Sequence, residues 1–501
     1  MKGFKKFLIV VLSTATVFAV TGCSSKSPST TATATTIYWW RSNDDAPEAT
    51  LKAIVNAYNA SQTTAPKIKV EVVMKDSRTY EQEVLDALAA NQSVPNAPDV
   101  ISVDGQDLPR FVPQLTAAPD GLFEAKATKA NKLGKTSDGY VEALYEPSVA
   151  KTVLFRDSNA KTKLYGLPLA VDNLALYINK SLIQKAADSL ATSNSQTKNM
   201  SREEINLITK KIQAPPQTWT DLVQILPYLT VKNGADITSA GISLGTAANV
   251  ERSYDILQAL MLQTQAQMTN DNLDAATFNQ SESGAAASTN PGEAALKFYE
   301  RFANPNDPIY TWNDKMPNNV DAFMQGQLAM MVNYQNVYRF MVSETPSIKQ
   351  QINVAALPQV SDPNSPTSAN TLKTLAKMKV EAAPSAKGDA KKQAAAWDFI
   401  SYLGSKQGSS AYLSAMKLSS PLKDVTGKSK FPAFDTQKTF ADVWYKGHKA
   451  MQVDEIFITL IDDTINGRKS LKDGLDKAAA DTTTILQASK SKWAITDGAG
   501  N

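Results

Sequence analysis

The sequence predicts an α/β protein of two lobes, each built on a mixed, mostly parallel sheet wrapped by helices, with hinge crossings between them. Three observations carry this. The order of apolar patterns from Thr36 to Val103 is β-α-β-α-β, which favours a largely parallel sheet. The 501-residue chain is far longer than a single core usually supports. Finally, the run Tyr165-Gly-Leu-Pro-Leu-Ala-Val-Asp-Asn-Leu-Ala-Leu-Tyr-Ile-Asn-Lys180 is apolar apart from an Asp-Asn pair, and reads as a strand crossing between lobes.

The chain starts with Lys2, Lys5 and Lys6, an apolar run from Phe7 to Val20, and then Thr21-Gly22-Cys23. That is the pattern of an export signal, too short for a comfortable permanent span, which needs about 20 residues. Val20-Thr-Gly-Cys23 resembles a bacterial lipobox, which implies that Cys23 is lipidated and becomes the first mature residue. Cys23 is the only cysteine, so its use there leaves no thiol for disulfides, thiolate metal sites or cysteine catalysis. Loss of the three leader lysines takes the formal charge from +3 to zero, which argues against nucleic acid as a partner. Ser24 to Thr35 is small and polar and reads as a tether.

Ile37 to Trp40 is β-prone, and Arg41 to Asp45 is a polar loop. Pro47 suits the first turn of a helix carrying Leu51, Ile54, Val55 and Tyr58 on one face. Ile68 to Met74 alternates as a strand; Tyr80, Val84, Leu85 and Leu88 mark another helix, and Pro98 to Val103 a short strand. Strand carboxyl ends collect ligands in such sheets, which places Trp40, Arg41 and Asp44 beside Asp104 and Asp107. Beyond the crossing, Ala187 to Pro216 reads as a polar surface insertion. Thr218 with Asp221 forms a capping-box pattern ahead of Trp219, Leu222, Val223 and Leu226. Gly241 to Gly245 is read as a strand, and a longer helix carries Tyr254, Leu257, Leu260, Met261 and Met268. Ala295, Leu296 and Tyr299 mark the helix after a low-complexity loop at Ser281 to Pro291. A helix then ends at Gly326, and Leu328 to Val332 is the strand behind it. Val354 to Pro358 suggests a return crossing, and Ser419 to Lys423 a third one. Between them lies a helix with Trp397, Ile400 and Leu403, stopped by Gly404. Phe457, Leu460, Ile461 and Ile465 form a stripe ended by Gly467, and Ser470 with Asp473 opens a last helix.

The Tyr165–Lys180 run closely resembles the first interlobe connection of the extracellular solute-binding proteins of ABC importers, carbohydrate class, related to maltose-binding protein. The passage Ala322-Phe-Met-Gln-Gly-Gln-Leu-Ala-Met-Met-Val-Asn-Tyr334 is similar to a second pattern of that family, and the likeness extends over nearly all of Thr36 to Gln487. The resemblance implies a periplasmic-binding-protein-like fold whose Asp172 faces the ligand cleft, with Tyr334 and Asn336 at the ligand-facing end of a strand. It also implies a small-molecule solute, a carbohydrate by preference, ABC permease subunits as partners, a monomer, and no cofactor. One departure stands out: Ser368 to Lys377 contains no glycine where many sugar binders carry a Gly-rich ligand loop, so the backbone there cannot approach a ligand as closely.

Sugar recognition needs carboxylates and amides for hydroxyls and aromatic faces for the C–H side of the ring. The candidates are Asp172, Trp40, Asp107, Tyr334, Arg41, Asp44, Asn249, Trp312 and Asn336, with strand alternation allowing at most one of Trp39 and Trp40 to stack. Each Trp has an ordinary core reading beside this one, and Asp172 can equally cap a neighbouring turn. No metal site is expected: His448 is the only histidine. A surface-anchored glycoside hydrolase using Asp104 with Asp107, or an adhesin, is the alternative. The expected division is a lipoprotein signal peptide over 1–22, a tether over 23–35, a first lobe from 36–171 and 358–419, and a second from 172–357 and 420–490, the whole anchored at the outer face of the cytoplasmic membrane.

Overall fold

The computed structural model describes residues 34–63, 67–90, 93–124, 136–157, 159–192, 199–234, 236–281, 290–361, 371–385 and 389–490. The leader, Cys23 and the tether up to residue 33 lie outside the described residues, as do residues 368–370 of the glycine-free stretch.

The first lobe begins with β1 (Thr35–Ser42), α1 (Glu48–Ser61), β2 (Ile68–Lys75), α2 (Tyr80–Ala89) and β3 (Ile101–Asp104). Helix α1 buries the four residues of its predicted face, Leu51, Ile54, Val55 and Tyr58. β1 and β2 are parallel, and a parallel bridge from Trp39 to Val100 brings β3 alongside β1. The strand Lys379–Ala382 then adds antiparallel to β3, and Leu167–Pro168 adds antiparallel to it in turn. Trp39, Val100, Val380, Trp397 and Phe399 meet in this core.

The second lobe has a five-stranded mixed sheet, in the order Ile352–Ala356, Ala175–Asn179, Leu328–Asn333, Asp236–Ile242, Val231–Asn233. Ala175–Asn179 is buried at every position, as a central strand covered on both faces must be. Thr218 and Asp221 do close a capping box on the helix Trp219–Leu229. The last helix, Leu471–Lys490, lays Leu475, Ala478, Ala479 and Leu486 on this core.

Three readings change. The Ala187–Pro216 region is mostly helical: Lys180–Thr192 and Arg202–Gln213 pack through Ala187, Leu190 and Ile212, with Ser201 and Glu204 capping the second helix. The helix at Tyr254 stops at Gln263, short of Met268, where Gln265 turns with φ +65°. The crossings also move. A three-stranded sheet of Asp172–Asn173, Thr374–Lys377 and Ala441–Asp442 runs between the two cores, with Lys377 opposite Asp172 and Leu375 beside Asp442. The return crossing is therefore at Thr374–Lys377, because the strand ending at Ala356 pairs with Ala175–Asn179 inside the second lobe. Ser419 bridges Val171 and Leu422 and Val425 pack in the first core, so the last hinge strand lies beyond them.

Candidate functional site

Two cavities open where the lobes meet the hinge sheet, of about 260 Å³ and about 60 Å³, and they share Tyr334, Lys377 and Met378 as a common wall. The larger is lined by Arg41, Asp44, Asp45, Asp104 and Glu381 from the first lobe and Tyr334, Asn336 and Arg339 from the second, with Asp172 at the hinge. Side chains also reach from lobe to lobe around it: Gln335 Nε2 donates to the Lys417 carbonyl and Arg339 Nη1 approaches Met416 Sδ at 3.4 Å, while Gln335 Oε1 accepts from Ser429 Oγ (2.8 Å).

Asp172 is held in place by its own acceptors. Its Oδ1 takes the backbone N–H groups of Asn173 and Gln335, both at 2.8 Å, and Oδ2 takes that of Asn336 at 3.1 Å. It thereby caps the helix Asn336–Glu344 while forming part of the cavity wall. Burial pushes its carboxyl up to about 6, with the three N–H groups opposing. One carboxylate thus caps a helix and lines the large cavity.

Arg41 forms the floor rather than a free ligand group. It is fully buried, its Nη1 pairs with Glu381 Oε1, its Nε stands 3.4 Å from Asp45 Oδ2, and its guanidinium lies 5.2 Å from the Trp39 ring centroid. Glu381 also accepts from Trp39 Nε1 (2.7 Å) and Ser102 Oγ (3.0 Å). Lys379 pairs with Asp45, so most of the charge on this floor is internally matched. Asp44 is exposed at the rim, where Ser42 Oγ donates to it.

Four expected residues are not at the cavities. Trp40 is 4% exposed, with its ring against Lys75 (3.9 Å to the centroid) and its Nε1 donating to the Asn96 carbonyl at 2.9 Å. Trp39 is in the core on Phe399, so neither tryptophan is a stacking platform. Trp312 is wholly buried and donates to Asn249 Oδ1 at 2.9 Å, while Asn249 Nδ2 donates to the carbonyls of Asn313 and Met316. These two residues fasten one another inside the second lobe. Asp107 precedes the short helix Leu108–Phe111 and belongs to neither wall, although its neighbour Gln106 lines the small cavity. Burial, with Asp104 and Glu81 nearby, pushes Asp107 up to about 7.

The residues that sequence reasoning missed are Asp45, Lys377, Lys379, Glu381, Arg339 and Tyr412 at the large cavity and Asp255, Trp444 and Lys446 at the small one. A signal existed for two of them: Lys379 and Glu381 are charges inside the otherwise apolar run Met378–Ala383, and charges are rarely buried in strands without a partner. Among the described residues no group of three His, Cys, Asp or Glu side chains could hold a metal ion, and no helix is long and apolar enough to cross a membrane.

A family model described as bacterial extracellular solute-binding protein matches residues 53–438. The chain belongs to that family. Solved structures give the same two-lobed fold. A cyclic α-maltosyl-1,6-maltose binding protein from Arthrobacter globiformis is 16% identical, with 91% of this chain and 99% of that one covered and a TM-score of 0.65. The sugar-binding protein MalE from Xanthomonas citri is 18% identical over 91% of this chain and 98% of that one, TM-score 0.64. UgpB from Mycobacterium tuberculosis, in complex with glycerophosphocholine, is 15% identical over 90% and 98%, TM-score 0.59. No curated protein sequence matches the chain.

Proposed function

We propose that the protein captures a small polar solute, by preference a sugar or oligosaccharide, in the interlobe cleft, closes on it about the hinge sheet, and delivers it to the permease of an ABC importer. It acts as a monomer without enzymatic activity, anchored through a lipid on Cys23 to the outer face of the cytoplasmic membrane. The observation that carries this reading is the position and chemistry of the large cavity. It sits at the hinge of a solute-binding fold, and it is walled by carboxylates and cations in near balance, largely paired with each other. Such a wall offers hydroxyl donors and acceptors at little electrostatic bias, which suits an uncharged polyhydroxyl solute. Similar structures hold tagatose, maltose and maltotetraose, which adds support.

A thermal-shift screen with maltose, maltotetraose, tagatose, glycerol, glycerophosphocholine and a dipeptide tests it. Carbohydrate should raise the melting temperature, by about 2.7 kcal/mol of stabilisation at a hundredfold excess over Kd. A rise with the dipeptide or glycerophosphocholine alone would overturn the carbohydrate preference, and incubation with the oligosaccharides should release no new reducing ends. Closure should reduce the radius of gyration in small-angle scattering at saturating sugar. For the anchor, detergent partitioning is decisive: wild type should enter the detergent phase and Cys23→Ala the aqueous one.

A further inference from the structure

The small cavity holds two charged side chains that make no hydrogen bond or close ion pair among the described residues, although Lys446, Lys377 and Arg252 act on Asp255 through space, as Asp172 and Asp107 do on Lys377. Asp255, in the first turn of the helix Ser253–Gln263, is 4% exposed, and among the described residues it accepts no hydrogen bond and forms no ion pair. Lys377, on the middle hinge strand, faces both cavities and likewise has no side-chain partner among the described residues. Burial of this carboxylate costs the fold stability, and the positive end of its helix together with the nearby Lys446, Lys377 and Arg252 offsets only part of that. The neighbouring charges are otherwise committed: Lys446 pairs with Asp454 at 2.5 Å, and Lys151 with Asp442 at 2.5 Å. The wall beside them is fixed, since Trp444 donates through Nε1 to Gln258 Oε1 at 3.0 Å and packs on Phe457 with centroids 6.0 Å apart.

We infer that this cavity is a second subsite of the cleft, in which Asp255 and Lys377 bind a single uncharged hydroxyl-bearing arm of the solute, of the hydroxymethyl class. The inference rests on the cleft being the solute site. Size ranks the occupants: at about 60 Å³ against about 260 Å³ for its neighbour, the small cavity takes the lesser part of the solute and the large one its bulk. Chemistry limits that part further. One hydroxyl donates a hydrogen bond to the Asp255 carboxylate and accepts one from the Lys377 ammonium, and its carbon lies on Trp444. A charged arm satisfies one of the two groups and is repelled by the other.

The test uses Asp255→Asn and Lys377→Met in the whole protein, with sugar pairs that differ only by hydroxymethyl groups: glucose with xylose, and cellobiose with xylobiose. Wild type should prefer the hydroxymethyl-bearing member by tenfold or more in calorimetric titration, and either variant should lose that preference. The empty Asp255→Asn protein should melt at or above the wild-type temperature, because an unpartnered charge has been removed. Equal wild-type affinity within each pair overturns the inference even when sugars bind. A lower melting temperature for empty Asp255→Asn overturns it as well, since it makes the carboxylate a structural group. If no sugar in any panel binds, the carbohydrate reading fails separately, and this melting measurement still decides whether Asp255 is held at a cost to the fold.

Discussion

Replacing Glu381 by alanine is expected to destabilise the first lobe by about 3–5 kcal/mol, the usual cost of removing one partner from a buried ion pair. Glu381 is wholly buried and ties three strands together: it accepts from Trp39 and pairs with Arg41 on β1, it accepts from Ser102 on β3, and it stands on the strand between β3 and Leu167–Pro168. Without it the fully buried guanidinium of Arg41 keeps Asp45, Ser102 and the faces of Trp39 and Tyr412, but loses its closest counter-charge. The effect should appear as a drop in melting temperature on the order of 10 °C, at 2–4 °C per kcal/mol for a unit of this size. Glu381→Gln should fall between alanine and wild type, because an amide oxygen still accepts from Trp39 but carries no charge for Arg41. A loss below about 1 kcal/mol for the alanine variant would mean that Arg41 is neutralised some other way and that the floor of the cavity is not held by this pair.

What could be read in the sequence follows the range of the interactions concerned. Leu51, Ile54, Val55 and Tyr58 announce their helix because four positions within three turns decide it. Thr218 with Asp221, Ser470 with Asp473, and the stops at Gly326 and Gly467, both at positive φ, are local chemistry as well. Trp312 and Asn249 were plausible cleft residues until the fold brought them within 2.9 Å across 63 positions, a pairing that no local pattern carries. The same holds for Glu381, whose partners lie some 340 positions away. The return crossing was misplaced for a related reason. An apolar run such as Val354 to Leu357 fits an edge strand as well as a hinge, and only its pairing with Ala175–Asn179 separates the two. The hinge strand that does cross, Thr374–Lys377, is short and carries a lysine in the cavity wall, so its sequence looks like an ordinary loop.

Replacing Asp172 by alanine is expected to weaken solute binding at least tenfold and also to lower the melting temperature of the empty protein, because one carboxylate serves both tasks. The structural part is the set of three backbone N–H groups, of which those of Gln335 and Asn336 open the helix that carries Arg339 to the opposite lobe. Loss of such a cap costs about 0.5–2 kcal/mol. The binding part comes from Oδ2, which accepts a single N–H and keeps lone-pair capacity on the cavity side; a charge-assisted bond from a hydroxyl there contributes about 1.5–3 kcal/mol, hence the tenfold or greater loss. The two parts separate with pH. Burial raises the Asp172 carboxyl to about 6, so the folded state holds its proton more tightly than the unfolded chain, whose aspartates titrate near about 3.9. Its contribution to stability is therefore present in full at low pH and declines as pH rises from about 4 to about 6, whereas solute affinity changes the other way, falling as the pH drops through about 6 and the acceptor is lost. Calorimetric titration and melting across this interval should show both slopes in wild type; Asp172→Ala should lose the affinity slope and keep a shallower stability slope, since the buried Asp107, raised to about 7, still contributes. An alanine variant that melts lower but binds as tightly as wild type would leave Asp172 a cap alone, and would move recognition to Tyr334 and the paired charges beneath it.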